Sequence, residues 1–121
     1  MQAVWIEIPV KDIERAMTFY QAVFNLQSTE VMTDDVRRTT TLVDTSTGGP
    51  GISLNQTRDF EPSNKGVLVY IDAGEDLTQQ LNRVESAGGK IVEPKTPMGE
   101  AGNYATILDT EGNILALYSY K

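Results

Sequence analysis

The stretch WIEIPVKDIERAMTFYQAVFNL, residues 5–26, joins two periodicities that indicate a strand followed by a helix. In its first part apolar residues alternate with others, so that Ile6 and Ile8 fall on one side of the chain and Trp5 and Glu7 on the other. Alternation with a period of two is typical of a strand with one buried face. The side that carries Trp5 and Glu7 must therefore meet something other than the core.

The second part of the stretch predicts an amphipathic helix. Asp12 is a plausible N-cap, because its side chain can accept a hydrogen bond from the first helical turn. Beyond it, apolar residues recur at spacings of three and four, as they do along one face of a helix. These residues are Ile13, Ala16, Met17, Tyr20, Val23 and Phe24.

Three further strands are expected in the first half of the chain. Segments 26–32 and 36–45 are rich in Thr and Val and flank a pair of aspartates, a pattern that indicates a hairpin. The run GGPG at 48–51 predicts a turn into a short strand, ISLN at 52–55. The order of elements is therefore β-α-β-β-β.

The second half of the chain shows the same succession of patterns. VLVYI at 67–71 predicts a strand, and Asp72 and Glu75 have the spacing of a capping box at the start of a helix. The apolar face of that helix would comprise Leu77, Leu81 and Val84. The segments KIVEP, NYATILDT and NILALYSY then supply three more strands.

A repeated motif supports the division of the chain into two modules. LVDT at 42–45 recurs as ILDT at 107–110, an offset of 65 residues. We predict a single α+β domain, residues 1–121, built of two βαβββ modules at residues 1–58 and 65–121. Because so short a module cannot cover both faces of its sheet, we expect a curled mixed sheet around a shared cleft, with the helices on the outer face.

The composition narrows the chemistry and the compartment. The chain has 121 residues, a net charge of -7, and neither cysteine nor histidine. Disulfides, thiolate metal sites and the commonest general base are thereby excluded. The negative charge argues against nucleic acid and anionic membranes as partners, and no apolar stretch is long enough to span a membrane. We expect a cytoplasmic protein.

Two segments resemble motifs of the vicinal oxygen chelate superfamily, which includes glyoxalases, bleomycin resistance proteins and extradiol dioxygenases. PVKDIERAMTFYQAVFNL is similar to its strand-helix signature and DTEGNILALYS to its closing hairpin. The resemblance implies that, in metal-dependent members, side chains at four positions bind one divalent ion. Here those positions are Trp5, Ser53, Gly66 and Ala116. Because Trp, Gly and Ala offer no ligand atom, we expect no bound metal and no cofactor.

The alternation of the strands also predicts which side chains line the cleft. The expected ligand-binding residues are Trp5, Glu7, Ser53, Asn55, Tyr70 and Tyr118. For the aromatic members, the alternative is simple packing within the cleft. A carboxylate on an apolar strand needs a partner. For Glu7 this is either an ion pair with Arg37 or Arg38, or a cationic or hydrogen-bonding ligand.

These residues favour a metal-free protein of the bleomycin resistance type that binds a small cationic or aromatic molecule. The alternative is an enzyme with an atypical site, either a lyase or isomerase similar to lactoylglutathione lyase, with Glu7 as base, or a protein related to the dioxygenases. A third hypothesis is a partner-binding module with a filled cleft. No catalytic residue is assigned. The resemblance also implies a homodimer in which modules pair across chains.

Overall fold

The first module contains one helix and five strands in the part that the computed structural model describes, residues 1–43 and 51–121. A strand and a helix come first, and the other four strands complete the sheet. The bounds are β1 Trp5–Pro9, α1 Ile13–Phe24, β2 Gln27–Ser28, β3 Met32–Thr33, β4 Arg37–Val43 and β5 Gly51–Thr57.

Helix α1 forms as its sequence predicts. The Asp12 side chain accepts a hydrogen bond from the backbone N–H of Arg15 at 3.1 Å, which caps the first turn. Asn25 ends the helix in the left-handed region, with a φ of 54°. Met17 and Phe24 are partly buried at the margin of the helix. The fully packed face consists of Ile13, Ala16, Phe19, Tyr20 and Val23.

The first sheet has the strand order β1-β5-β4-β2, and β3 also pairs with β4. Strand β1 runs parallel to β5, and the other neighbours are antiparallel. Segment 26–32, expected as one strand, is divided into β2 and β3, each of two residues. Residues 44–50, which include most of the predicted turn at 48–51 and the end of the LVDT motif, lie outside the described residues.

The second module repeats the order of strand, helix and three strands. Its first strand is shorter than the predicted segment 67–71, because pairing with the last strand of the module begins only at Tyr70. The bounds are β6 Tyr70–Asp72, α2 Thr78–Val84, β7 Lys90–Pro97, β8 Asn103–Leu108 and β9 Ile114–Ser119. In the described part of the chain, neither helix is long and apolar enough to cross a membrane.

The capping box predicted for the second helix is wrong. The Asp72 carboxylate accepts the backbone N–H of Gly74 at 2.9 Å and so closes a turn of its own. Helix α2 begins only at Thr78, whose N–H is bound by the Asp76 side chain at 2.9 Å. The predicted apolar face is nevertheless buried and comprises Leu77, Leu81 and Val84.

The strands form two separate sheets. The second sheet has the order β6-β9-β8-β7, and among the described residues none of its strands pairs with a strand of the first sheet. The predicted fold class is confirmed, since the chain is α+β and has two modules of the βαβββ type with a helix on one face of each sheet; in the first module β2 and β3 together take the place of one strand. Among the described residues the two sheets do not join into one curled sheet, because β1 and β6 each end a sheet and do not pair with each other.

The two modules are joined by their helices and by the turn between β8 and β9. In this turn the Glu111 carboxylate accepts the backbone N–H groups of Lys11 and Asp12 at 2.8 and 2.9 Å. Arg15 donates two further hydrogen bonds to it, at 2.8 and 3.0 Å. Burial alone would raise the pKa of Glu111, but these hydrogen bonds and one from Thr110 outweigh it and lower the pKa to about 2.

A second group of hydrogen bonds surrounds Asp109. Tyr20 donates its hydroxyl to Asp109 at 2.7 Å, and Asn113 donates to Asp109 at 3.0 Å and to the carbonyl of Pro9 at 2.7 Å. Burial and the Asp109 charge raise the pKa of Tyr20 well above its ordinary value of 10.0, so the phenol remains a donor. We call turn residues 109–113, together with the corner between β1 and α1 that they contact, the seam.

Candidate functional site

Each sheet packs one face against its helix, and we call the opposite face its open face. In the first sheet Leu54 is fully buried in the core that includes α1. Alternation along the strands then puts Trp5 and Glu7 on the open face, with Ser53 and Asn55 beside them on β5. The sequence predicts the same face for all four residues.

The Trp5 indole lies over the backbone of Gly51, its neighbour in the pair of β1 and β5. A Cβ atom at position 51 would lie 2.6 Å from the indole carbon Cε3 and 2.9 Å from Cη2, so a larger residue would displace the ring. Trp5 is nevertheless 51% exposed. It therefore presents an aromatic surface to solvent while its other side rests on the sheet.

A hydrogen-bond network fixes the edge of this indole. Trp5 Nε1 donates to Ser53 Oγ at 3.2 Å, and Asn55 Nδ2 donates to the same oxygen at 2.9 Å. Thr39 on β4 donates its hydroxyl to Asn55 Oδ1 at 2.9 Å. Ser53 and Asn55 are each only 1% exposed. Their main role is thus to hold the site together, and the accessible groups on this face are the Trp5 ring and its charged neighbours.

Those charged neighbours are Glu7 and Arg37. A Glu7 carboxylate oxygen lies 3.8 Å from Arg37 Nη1, and both side chains are about half exposed. The second arginine considered from the sequence, Arg38, points to the helix side and pairs with Glu14 at 2.7 Å. The contact of Glu7 with Arg37 is too long for a hydrogen bond. Both groups can therefore still bind a ligand.

A row of four residues crosses the open face of the second sheet. It runs from Tyr70 on β6 through Ala116 and Thr106 to Glu93 on β7. The ring centroids of Tyr70 and Tyr104 are only 6.4 Å apart, with 57° between the rings, although β9 separates their strands. The two rings must therefore lean toward each other across β9. Ala116, which lies on that strand, is fully buried.

Hydroxyl groups surround the Glu93 carboxylate at the end of this row. Tyr104 donates its hydroxyl to Glu93 at 3.0 Å, a contact that raises the pKa of the phenol, and Thr106 lies 3.4 Å from the other oxygen. Tyr118, predicted from the sequence as a ligand contact, is partly buried on the same face and donates its hydroxyl to the carbonyl of Ala101. On the second open face, the Glu93 carboxylate thus lies close to the ring of Tyr104, which is paired with that of Tyr70.

A groove of about 520 Å³ lies at one end of the first sheet, where the β3–β4 hairpin meets the segment that follows β5. Its lining is strongly charged and carries one partly exposed aromatic ring, Phe60. Asp34 is committed to the hairpin, because it accepts the backbone N–H groups of Val36 and Arg37. The basic side chains of the groove are Lys11, Arg37, Arg38 and Arg58. Arg37 connects this groove with the open face.

The four positions that the family resemblance associates with a metal do not fit a divalent ion. Trp5, Gly66 and Ala116 carry no atom that can serve as a ligand. The Ser53 hydroxyl already accepts hydrogen bonds from Trp5 and Asn55. Within residues 1–43 and 51–121, no three His, Cys, Asp or Glu side chains are grouped so that they could hold a metal. A hydrogen bond joins the two positions of the first module instead.

The predicted site residues fall into two groups. On the first open face lie Trp5, Glu7, Ser53 and Asn55, and on the second lie Tyr70 and Tyr118. No strand pairing links the two sheets in the described part of the chain. We call these two groups of predicted residues the half-sites.

Other residues of the two open faces were not predicted from the sequence. Thr39 opposes Asn55, and Tyr104 opposes Tyr118, in antiparallel pairs whose register the hairpin patterns could have suggested. The position of Glu93 on the open face could not be predicted in this way, because the register between β7 and β8 shifts on both sides of it.

Solved structures share this fold. A glyoxylase/bleomycin resistance protein/dioxygenase domain from Frankia sp. EAN1pec matches with a TM-score of 0.80 and 15% identity, covering 100% of this chain and 93% of that chain. A glyoxalase I mutant from Zea mays matches with a TM-score of 0.75 and 18% identity, over 96% of this chain and 46% of that chain. A third match is a mutant of the fosfomycin resistance protein FosX from Listeria monocytogenes, complexed with Mn(II) and a dihydroxypropylphosphonic acid. It has a TM-score of 0.70 and 17% identity, over 98% of this chain and 92% of that chain.

The sequence itself identifies the family. A search of curated proteins finds no match. The sequence model of one superfamily, however, matches residues 2–117, which span both modules. The chain therefore belongs to the Glyoxalase/Bleomycin resistance protein/Dioxygenase superfamily.

Proposed function

We propose that this protein binds a small organic molecule without a metal ion, on the open faces of its sheets. The proposal rests on the hydrogen bond of 3.2 Å between Trp5 and Ser53, which occupies two of the four positions that the resemblance associates with a metal. The other two positions are Gly66 and Ala116, which offer no ligand atom. An aromatic surface and small residues are thus present where ligand atoms would be needed.

The geometry around Trp5 supports ligand binding. The indole is held from below by Gly51 and at its edge by Ser53, so little side-chain freedom is left to lose when a planar molecule stacks on it. Glu7 and Arg37 supply charged groups beside the ring. An apolar surface with a few polar groups is typical of small-molecule sites.

A second copy of the chain, we propose, completes the site. Within the described residues, strands β1 and β6 each have one unpaired edge, and such edges favour pairing with another chain. Large apolar side chains are exposed in and beside these strands, and they are Val4, Trp5, Val67 and Tyr70. A homodimer with β1 of one protomer beside β6 of its partner would cover these side chains and bring the two half-sites together. Light scattering at tens of micromolar should give the mass of two chains, and a monomer mass would contradict the homodimer.

Catalysis by Glu7 is the second candidate function, as a lyase or isomerase. The observation in its favour is that the Glu7 side chain is 43% exposed on the open face, within reach of a bound molecule. A base of this kind would exchange substrate C–H protons with solvent. Proton exchange of bound ligands in D₂O, followed by NMR, tests for it. Exchange that disappears in Glu7→Gln would favour the enzyme over the binding protein.

The binding proposal is tested with a library of aromatic, cationic and neutral molecules. The chain has one tryptophan, so its fluorescence reports the first open face alone. We expect ligands that change Trp5 emission and raise the melting temperature, and this rise should disappear in Trp5→Leu. Phe60→Leu, which changes the exposed aromatic ring of the groove, is the matched control and should keep the effect. A library without any binder, or binders that stabilise Trp5→Leu equally, would contradict the proposal.

A further inference from the structure

We propose that the open face of the second sheet binds an organic ammonium group between the rings of Tyr70 and Tyr104 and the carboxylate of Glu93. The inference rests on the proposed function, because it assigns a ligand class to one of the two half-sites. Two of these three residues, Tyr104 and Glu93, play no part in the predictions from sequence. We include these two residues in the ammonium site because of their positions on the second sheet.

The shape of the row that crosses the second sheet favours a bound ligand. Tyr70 and Glu93 stand at its two ends, and the residues between them, Ala116 and Thr106, are small. The row therefore has large side chains at its two ends and leaves space above the small residues between them. Tyr70 is 48% exposed, so the surface of its ring is accessible from solvent.

The Glu93 carboxylate favours a ligand that is a cation. Its partners are the hydroxyl groups of Tyr104 and Thr106, and none of the ion pairs among the described residues includes it. Lys95, its neighbour along β7, is instead bound to Asp76 at 3.0 Å. The Glu93 carboxylate therefore has no cationic partner in the described part of the chain.

The other charges of this face do not supply that cation. Lys90 and Asp72 lie on the same face in the rows on either side of Glu93, and their opposite charges offset each other. Both side chains are exposed to solvent, where screening weakens their effect on the row. The field at the centre of the row is therefore set by Glu93.

Together these features select an ammonium ligand over a neutral or anionic one. Aromatic faces attract cations through the ring quadrupole, and a nearby carboxylate adds direct attraction. The hydroxyl of Tyr104 points to Glu93, which leaves the ring as the surface that the ligand meets. An anion would be repelled by Glu93, and a neutral molecule would gain only the apolar contact.

The experiment compares choline with 3,3-dimethyl-1-butanol, which has nearly the same shape but no charge. Each is titrated into the ¹⁵N-labelled full chain at low ionic strength, and amide shifts of the row residues are followed by NMR. We expect choline to bind at least about fivefold more tightly. Glu93→Gln should remove most of this difference, and Tyr70→Leu should weaken choline binding. Glu85→Gln is the matched control, because Glu85 is an exposed carboxylate at the end of α2. It should change neither the affinity for choline nor the difference between the two probes.

The outcomes separate this inference from the proposed function. Equal binding of both probes on this face would overturn the role of charge and leave a small-molecule site in place. Failure of both probes to shift the row would overturn the inference outright, while the Trp5 titration on the first sheet would still decide the proposed function. Unchanged melting temperatures of Glu93→Gln and Tyr70→Leu would establish that altered binding does not arise from unfolding.

Discussion

The seam and the open faces use carboxylates in opposite ways. In the seam, Glu111 is fully buried and receives hydrogen bonds from two backbone N–H groups and from Arg15. On the open faces, and among residues 1–43 and 51–121, Glu7 has one distant contact with Arg37, and Glu93 accepts hydrogen bonds from two hydroxyl groups. The seam thus satisfies the Glu111 carboxylate completely, whereas Glu7 and Glu93 on the open faces can still accept further hydrogen bonds.

This difference separates the residues that hold the fold from those available to a ligand. Buried polar groups must be satisfied within the chain, because no water replaces a missing partner. Exposed groups with unused hydrogen-bonding capacity are satisfied by water and can exchange it for a ligand. We therefore expect changes in the seam to affect stability and changes on the open faces to affect binding.

The largest effect is expected for Glu111→Gln. The substitution removes the charge that Arg15 and two backbone N–H groups share, so it should lower the free energy of unfolding by about 3 kcal/mol and the melting temperature by about 10 °C. Glu75→Gln is the matched control, because Glu75 pairs with Lys121 at 2.8 Å but is exposed. It should change stability by less than about 0.5 kcal/mol. Equal losses of stability in the two variants would contradict the stabilising role of Glu111 in the seam.

Acid should destabilise the protein through the same carboxylate. Since the pKa of Glu111 falls from 4.5 to about 2 on folding, its stabilisation is complete above about pH 5 and is lost as the pH falls toward 2. The loss amounts to about 3 kcal/mol at most. Hydrogen bonds with Thr78 also lower the pKa of Asp76 to about 2, so the comparison is made against Glu111→Gln. Denaturant unfolding at pH 6 and pH 3 should show a smaller loss in that variant, and identical losses would contradict the assignment.

An intermediate effect is expected for Gly51→Ala. The added methyl group would displace the Trp5 ring, so we expect a loss of about 1 to 2 kcal/mol and a shift of the tryptophan emission. In a Trp5→Leu background the same change should be nearly neutral, because the ring is no longer there to be displaced. A double-mutant cycle by chemical denaturation measures the coupling. Similar losses in both backgrounds would show that Trp5 does not rest on Gly51.

The smallest effect on stability is expected for Glu7→Gln. Its contact with Arg37 is long and half exposed, so stability should change by less than about 1 kcal/mol. If Glu7 contacts a cationic ligand, the same variant should lose about tenfold or more in affinity. Arg37→Gln is the companion variant that removes the other partner. A destabilised Glu7→Gln with unchanged affinity would refute the ligand role.

Periodic features of this fold could be predicted from the sequence, and contacts between distant segments could not. The alternation around Trp5 and the spacing in α1 depend on local geometry, so they gave the correct faces. The capping box at Asp72 failed because a competing turn onto Gly74 satisfies the same side chain. Glu111 was not recognised, since its partners lie about a hundred residues away in sequence. The division into two sheets was not predicted either. The alternation of apolar and polar residues within each module is the same whether or not the edge strands of the two modules pair.

The most direct test of the account is a titration of Trp5 fluorescence with a library hit, with and without EDTA. Because Trp5 and Ser53 are hydrogen-bonded to each other at two of the expected metal positions, binding should not depend on a divalent ion. We predict the same affinity in EDTA, in metal-free buffer, and after addition of Zn²⁺, Ni²⁺, Mn²⁺ or Fe²⁺. Binding that is lost in EDTA and restored by one of these ions would contradict the central claim.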